Sequence, residues 1–204
     1  YNRRLIISPT GSGKSLMIYA VARYHVGRKR RILLVVPTTS LVEQMYKDFT
    51  DYGWDVEKYC HKVYAGKNKN TQQRVTISTW QSIYTMDKTF FSQFDVIIGD
   101  EAHQFKSKSL INIMSKMRDT KYRYGFTGTL SGSQTHKWVL EGLFGPSYKV
   151  TQTSDLQSKG QLAKLDIRII LIKHPAIPFD DYREEMNYII CLLYTSDAAD
   201  DWSS

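Results

Sequence analysis

Arg4-Leu5-Ile6-Ile7-Ser8-Pro9-Thr10-Gly11-Ser12-Gly13-Lys14-Ser15 decides how this chain is read. A short strand, Arg4–Ile7, runs into a turn of small residues. The turn opens a helix over Lys14–Val26, with Leu16, Met17, Ala20 and Val21 expected on its apolar side. Gly11 and Gly13 let the backbone bend so that successive N–H groups point inward, which makes an anion cradle. The helix N-terminus adds its dipole to the same anion. Strand, glycine turn and helix in this order form a phosphate-binding loop, spanning Pro9, Thr10, Gly11, Ser12, Gly13, Lys14 and Ser15. In such a loop Lys14 neutralises the β- and γ-phosphates and the Ser15 hydroxyl ligates magnesium. Ser8 stands where the usual pattern opens on Gly or Ala, and Ser is small enough to serve.

Downstream, Phe94-Asp95-Val96-Ile97-Ile98-Gly99 ends in Asp100-Glu101-Ala102-His103. A hydrophobic strand that delivers carboxylates at its C-terminal end brings them beside the phosphate loop in an open α/β sheet. Asp100 is expected to hold magnesium, through water, and Glu101 to polarise an attacking water. On residue chemistry alone His103 stays open between a packed residue and a functional one.

Strand and helix signals alternate across the rest of the chain, which predicts an α/β fold with a parallel sheet covered on both faces. Ile32–Val36 is a near-continuous apolar run, as a strand buried on both faces should be. Ser40-Leu41-Val42-Glu43 predicts a capping-box start for a helix running to about Tyr52. Val75–Ser78, Phe94–Ile98 and Tyr122–Phe126 read as further strands, and Ile167–Ile172 as a late one. Ser107–Arg118 reads as a helix with Leu110, Ile111, Ile113, Met114 and Met117 inward, and His136–Phe144 as a short one. The polar stretch Ala65–Arg74 reads as a loop.

Hydrophobic residues make up 42% and charged residues 24% of the 204, the usage of an ordinary globular chain long enough for one α/β core. No apolar run approaches the ~20 residues needed to span a bilayer. The net charge of +8 points to a polyanionic partner. The densest basic run, Arg28-Lys29-Arg30-Arg31, falls between helix and strand and reads as a solvated turn. Cys60 and Cys191 form neither a metal spacing nor a disulfide framework, which fits a reducing, cytoplasmic setting. The opening Tyr1-Asn2-Arg3-Arg4 enters a strand directly, so residues before it are expected to be missing. From Cys191 to Asp201 the residues resemble the translation of a transposon-end sequencing adapter. Residues 191–204 are therefore set aside from fold reasoning as read-through. That leaves an ATP-binding domain over 1–150 and its end and onward connection over 151–190.

The motifs together resemble those of superfamily 2 helicases. Pro9–Ser15 is similar to motif I and Val36-Pro37-Thr38-Thr39-Ser40-Leu41-Val42-Glu43-Gln44 to motif Ia. Thr79-Trp80-Gln81-Ser82 is similar to the next DNA-contact motif, Asp100–His103 to motif II of the DExH group, and Phe126-Thr127-Gly128-Thr129 to motif III. Their order over Tyr1–Ile190 matches the first RecA-like domain. Val-Pro-Thr-Thr, Thr-Trp-Gln, Phe-Ser-Gln-Phe (91–94) and Tyr-Arg-Glu-Glu (182–185) resemble most closely the phage UvsW-type recombination and branch-migration helicases.

The resemblance implies a RecA-like P-loop NTPase domain that uses ATP and Mg2+ to translocate on DNA and remodel branched or paired strands. It implies that Thr38, Thr39, Thr79 and Gln81 meet the nucleic-acid backbone, which positions without reading sequence. It also implies that His103, Thr127 and Thr129 couple nucleotide state to grip. The family's later motifs lie in a second RecA-like domain that brings arginine fingers and has no counterpart in these residues. The chain alone is therefore expected to bind Mg-ATP without turnover or unwinding. An RNA helicase or a restriction-complex motor subunit shares these motifs. A non-catalytic nucleotide-gated binding module is disfavoured by the intact Lys14, Asp100 and Glu101, and a small-molecule kinase by Asp-Glu-x-His.

Overall fold

All strand pairings among the described residues are parallel, in the order β3-β4-β2-β5-β6-β1-β7. The strands are β1 (Arg3–Ile7), β2 (Ile32–Val36), β3 (Cys60–Val63), β4 (Val75–Thr79), β5 (Val96–Gly99), β6 (Tyr122–Thr127) and β7 (Ser147–Lys149). The computed structural model describes residues 2–64, 72–104, 107–128, 134–160, 162–163 and 181–188. Thr129, the strand expected over Ile167–Ile172 and residues 191–204 lie outside them, as does most of the loop expected over Ala65–Arg74. The chain divides into two compact units, Tyr1–Lys164 and Leu165–Ser204. In the second, residues 182–188 are helical, and the Asp181 carboxylate accepts N–H groups from Arg183 and Glu184 at 2.6 and 2.9 Å.

The sheet buries both faces, as its apolar runs require. Ile32, Leu34 and Val36 pack with Ile18 and Ala22 of α1 (Lys14–Val26) and with Val42, Met45 and Phe49 of α2 (Thr39–Asp51). Leu33 and Val35 point to the opposite face, among Leu110, Ile113 and Met114 of α6 (Ser107–Lys116) and Leu140 and Phe144 of α7 (Gln134–Phe144). The short helices α3 (Val56–Tyr59), α4 (Trp80–Ile83) and α5 (Lys88–Ser92) fill the crossovers, and α8 (Thr153–Ser158) follows β7.

Three expectations need correction. α1 buries Ile18, Ala22 and His25, whereas Leu16 is 50% exposed and Ala20 also faces outward. The helix is apolar on more than one side, and its crossing on the sheet selects the stripe. In α6, Ile111 is exposed while its expected companions are buried. α2 starts earlier than its capping-box pattern suggested. Thr38 is the N-cap, its Oγ1 accepting the Leu41 N–H at 3.3 Å. Glu43 instead accepts from Lys62 Nζ at 2.8 Å and Tyr64 Oη at 2.5 Å, so a tertiary ion pair takes the carboxylate a local cap would have used.

Candidate nucleotide site

Three loops meet at the C-terminal edge of the sheet. β1 runs into the glycine turn, β5 into Asp100-Glu101, and β6, lying between them, ends at Thr127. Ile7 is in register with Thr127, and Gly99 with Gly125 one strand over. Two strand spacings, about 10 Å, separate β1 from β5. The Lys14 side chain crosses that gap. Its Nζ contacts Glu101 Oε1 directly and lies 3.5 Å from Asp100 Oδ1.

The turn has the backbone its glycines were expected to supply. Gly11 and Gly13 have φ of 79° and 80°, in the left-handed region that L side chains rarely adopt. A Cβ on Gly11 would also fall 2.9 Å from Leu162 Cδ1, whereas around Gly13 there is open space to 4 Å. Ser12 bonds back to the Pro9 carbonyl through its N–H at 3.2 Å and its hydroxyl at 2.5 Å, which closes the loop. Ser8, the departure from the usual pattern, is fully buried and its hydroxyl bonds that of Ser12, so it braces the turn from below. The first N–H groups of α1 have no partner within their own helix, as at any helix start.

A cavity of about 350 Å³ opens there between the loop and α2, lined by Gly13, Lys14, Ser15, Gln44, Asp48 and Asp100 among others. Asp100 is 4% exposed, and burial raises its carboxyl above the ordinary value against the opposing pull of Lys14; the neighbouring Glu101 charge raises it further. Glu101 sits at φ 47°, its N–H donating to Asp100 Oδ1 at 2.9 Å. A non-glycine residue held in that region stores strain that surrounding contacts must offset. Glu101 Oε2 lies 3.4 Å from His103 Nδ1, which shares a 2.7 Å hydrogen bond with Thr127 Oγ1. The Ser8 N–H donates to the Thr127 carbonyl at 2.9 Å, and His136 Nε2 donates to the His103 carbonyl at 3.1 Å. Phosphate loop, β6 and acidic pair are thus hydrogen-bonded into one unit.

The segments after β2 and β4 share this edge, since Val36 is in register with Thr79. Thr38, Thr39 and Gln81 are exposed there. Thr79 differs: it is 4% exposed and its hydroxyl bonds Ser82 Oγ at 2.8 Å. Trp80 packs partly against the core. The basic run 28–31 lies at the opposite edge, where Lys29 takes φ 60° in the turn. Arg30 is not simply solvated, since it donates to Tyr122 Oη at 2.7 Å. Cys60 is buried, and burial pushes its thiol up to about 12. Two neighbours of the loop carried no signal in the sequence: Leu162 over Gly11, and Tyr52, whose hydroxyl lies 2.8 Å from Ser15 Oγ.

The family model described as type III restriction enzyme, res subunit, matches residues 1–132. The chain belongs to that family. It is 33% identical to the ATP-dependent DNA helicase uvsW of Enterobacteria phage T4, across 92% of this chain and 40% of the relative. It is 26% identical to the DNA 3'-5' translocase XPB2 of Sulfurisphaera tokodaii, across 83% and 36%. The chain thus spans less than half the length of either. The solved UvsW helicase of bacteriophage T4 superposes with a TM-score of 0.66, covering 72% of this chain and 54% of that one. The Hef helicase domain of Pyrococcus furiosus superposes at 0.59 with 19% identity, covering 74% and 36%, a likeness of fold alone. The parallel sheet is accordingly that of a RecA-like helicase domain of superfamily 2. No helix among the described residues is long and apolar enough to cross a membrane.

Proposed function

We propose that this chain is the ATP-binding half of the motor of a DNA helicase or translocase that acts on branched or partly single-stranded DNA. The observation that carries the reading is Lys14, held against Asp100 and Glu101 at the head of a left-handed glycine turn. In this reading the amides of Gly13, Lys14 and Ser15 take the phosphates and Lys14 neutralises them. Ser15 and Asp100 hold Mg2+. Bound Mg-ATP supplies the phosphoryl group whose transfer to water drives the motor.

The residues fit that cargo. Gly13 presents no Cβ to the cradle, and the cavity offers the Lys14 cation, the Ser15 hydroxyl and the Asp100 and Glu101 carboxylates, the set a metal–phosphate group needs. The Lys14 charge is balanced by the two acids. With Lys14 engaged by phosphate, the Glu101 carboxylate would be free to accept a proton from water. His103 and Thr127, bonded to each other and adjoining Glu101 and Ser8, lie where a change at the acid is passed to the end of β6. Thr129 takes a coupling role in this reading by the family resemblance alone. Thr38, Thr39 and Gln81 would meet the DNA backbone, and Thr79 would contribute through its main chain, because its hydroxyl is engaged inside. Completion of the site by a second RecA-like domain is part of the same proposal.

The experiment is a competition measurement on the purified chain with Mg-ATP. Labelled branched DNA should be displaced equally by unrelated DNA sequences, and its affinity should fall steeply with salt, as phosphate-dominated contacts do. Displacement by RNA but not by DNA would overturn the choice of DNA.

A further inference from the structure

The hydroxyl that the reading above assigns to magnesium has a dedicated neighbour. Ser15 Oγ and Tyr52 Oη lie 2.8 Å apart, although 37 residues separate them. Tyr52 is placed with care. It is the C-cap of α2, where the Gly53 N–H bonds the Thr50 carbonyl at 2.9 Å and the Trp54 N–H bonds the Phe49 carbonyl at 3.0 Å. That pair of bonds is a Schellman close, made possible by Gly53 at φ 79°. The Phe49 and Trp54 rings, 5.4 Å apart, give the hydrophobic contact that accompanies it. From the other side Tyr19, on α1 with Ser15, donates its hydroxyl to the Tyr52 carbonyl at 3.0 Å, and its ring packs against the Tyr52 ring at 5.2 Å. Arg23 donates to that same Tyr19 hydroxyl at 3.1 Å. The phenol is therefore held on both its backbone and its ring, with its hydroxyl aimed at Ser15.

A serine hydroxyl has one proton and two lone pairs. To ligate a cation it must offer a lone pair and turn its proton to an acceptor elsewhere. We infer that Tyr52 is a positioning residue for magnesium. It accepts the Ser15 proton and so turns a Ser15 lone pair toward the side of the cavity that carries Asp100. The inference rests on the proposed nucleotide reading, and it adds a residue on α2 to a site otherwise built from the loops after β1 and β5.

The experiment titrates Mg2+ against binding of a fluorescent ATP analogue to the whole chain, comparing wild type, Tyr52→Phe, Ser15→Ala and the double variant. Tyr52→Phe keeps the ring, the cap and the Tyr19 contacts, and an unchanged melting temperature confirms this. The Mg2+ concentration for half-maximal enhancement should rise about tenfold in Tyr52→Phe, the scale of losing a partner that orients a metal ligand. Binding in EDTA, which a general loosening of the site would weaken, should stay at the wild-type level. Tyr52→Phe should add nothing once Ser15 is Ala. A shift in Ser15→Ala with none in Tyr52→Phe, or additive shifts in the double variant, overturns the role of Tyr52 while leaving the nucleotide reading intact. Absence of Mg2+-enhanced binding in wild type overturns both.

Discussion

The two edges of the sheet use their cations in opposite ways. At the C-terminal edge Lys14 pairs with Asp100 and Glu101 in the lining of a cavity, partners that an incoming phosphate would displace. At the N-terminal edge Arg123, 7% exposed, donates to the carbonyls of Met117, Arg118 and Thr120 at 2.9–3.1 Å. Arg30 there bonds His25 Nδ1 at 3.0 Å and Tyr122 Oη at 2.7 Å, and its guanidinium lies 4.1 Å from the Tyr122 ring centroid. A cation bonded to backbone carbonyls and aromatic rings is fixed and serves the fold. A cation bonded to two neighbouring carboxylates remains exchangeable and serves a ligand. Changes at the N-terminal edge should therefore cost stability and leave nucleotide affinity alone, and the converse should hold at the other edge.

The largest expected stability effect is that of acid on His25. Burial, with Arg30 and Arg28 nearby, lowers its pKa from 6.5 to about 4. Above pH 6.5 the ring is neutral in both the folded and the unfolded chain. As pH falls through that value the unfolded chain takes up a proton that the folded chain refuses until about pH 4, so stability declines across that window. The loss should reach about 3 kcal/mol. Urea midpoints at several pH values should show it, and His25→Gln should flatten the slope. A slope unchanged by the substitution would remove His25 from the account of this edge.

Arg123→Ala comes next. It leaves buried carbonyls short of a donor and should cost about 2 kcal/mol, with ATP-analogue affinity unchanged. Loss of affinity in a folded Arg123→Ala protein would break the contrast between the edges. Thr38→Ala should have the smallest effect, about 1 kcal/mol for a lost N-cap. DNA binding should weaken with it, since the proposed reading puts Thr38 on the DNA backbone; unchanged DNA affinity in the folded variant would remove Thr38 from that contact.

The same contrast explains what was legible in the sequence. Ile32–Val36 and Val96–Ile98 announce themselves because central strands are apolar on both faces. β3 and β7 lie at the sheet's ends. Cys60-His61-Lys62-Val63 has a half-exposed polar centre and Ser147-Tyr148-Lys149 is short and largely exposed, so neither shows a strand pattern. α3, α4 and α5, at four or five residues, are too short for a helical period to register. In the site, Lys14 and Ser15 were readable because they close the glycine turn that follows β1, and Asp100 and Glu101 because they directly follow the end of β5. Tyr52 and Leu162 were not, because their contacts are made by helix crossing and chain return. The family resemblance named His103 and Thr127 only for a coupling role, and no spacing in the residues suggested the hydrogen bond between them.

The central claim is that Lys14 binds the nucleotide whereas Glu101 acts only on water. The direct measurement is Mg-ATP affinity, by calorimetry or fluorescence, for wild type, Lys14→Ala and Glu101→Gln. Glu101→Gln should bind at least as well as wild type, since it removes a competitor for the Lys14 charge. Lys14→Ala should lose about a hundredfold or more, the scale of deleting an electrostatic partner in a preorganised site. Equal loss of binding in both variants would contradict the division of roles.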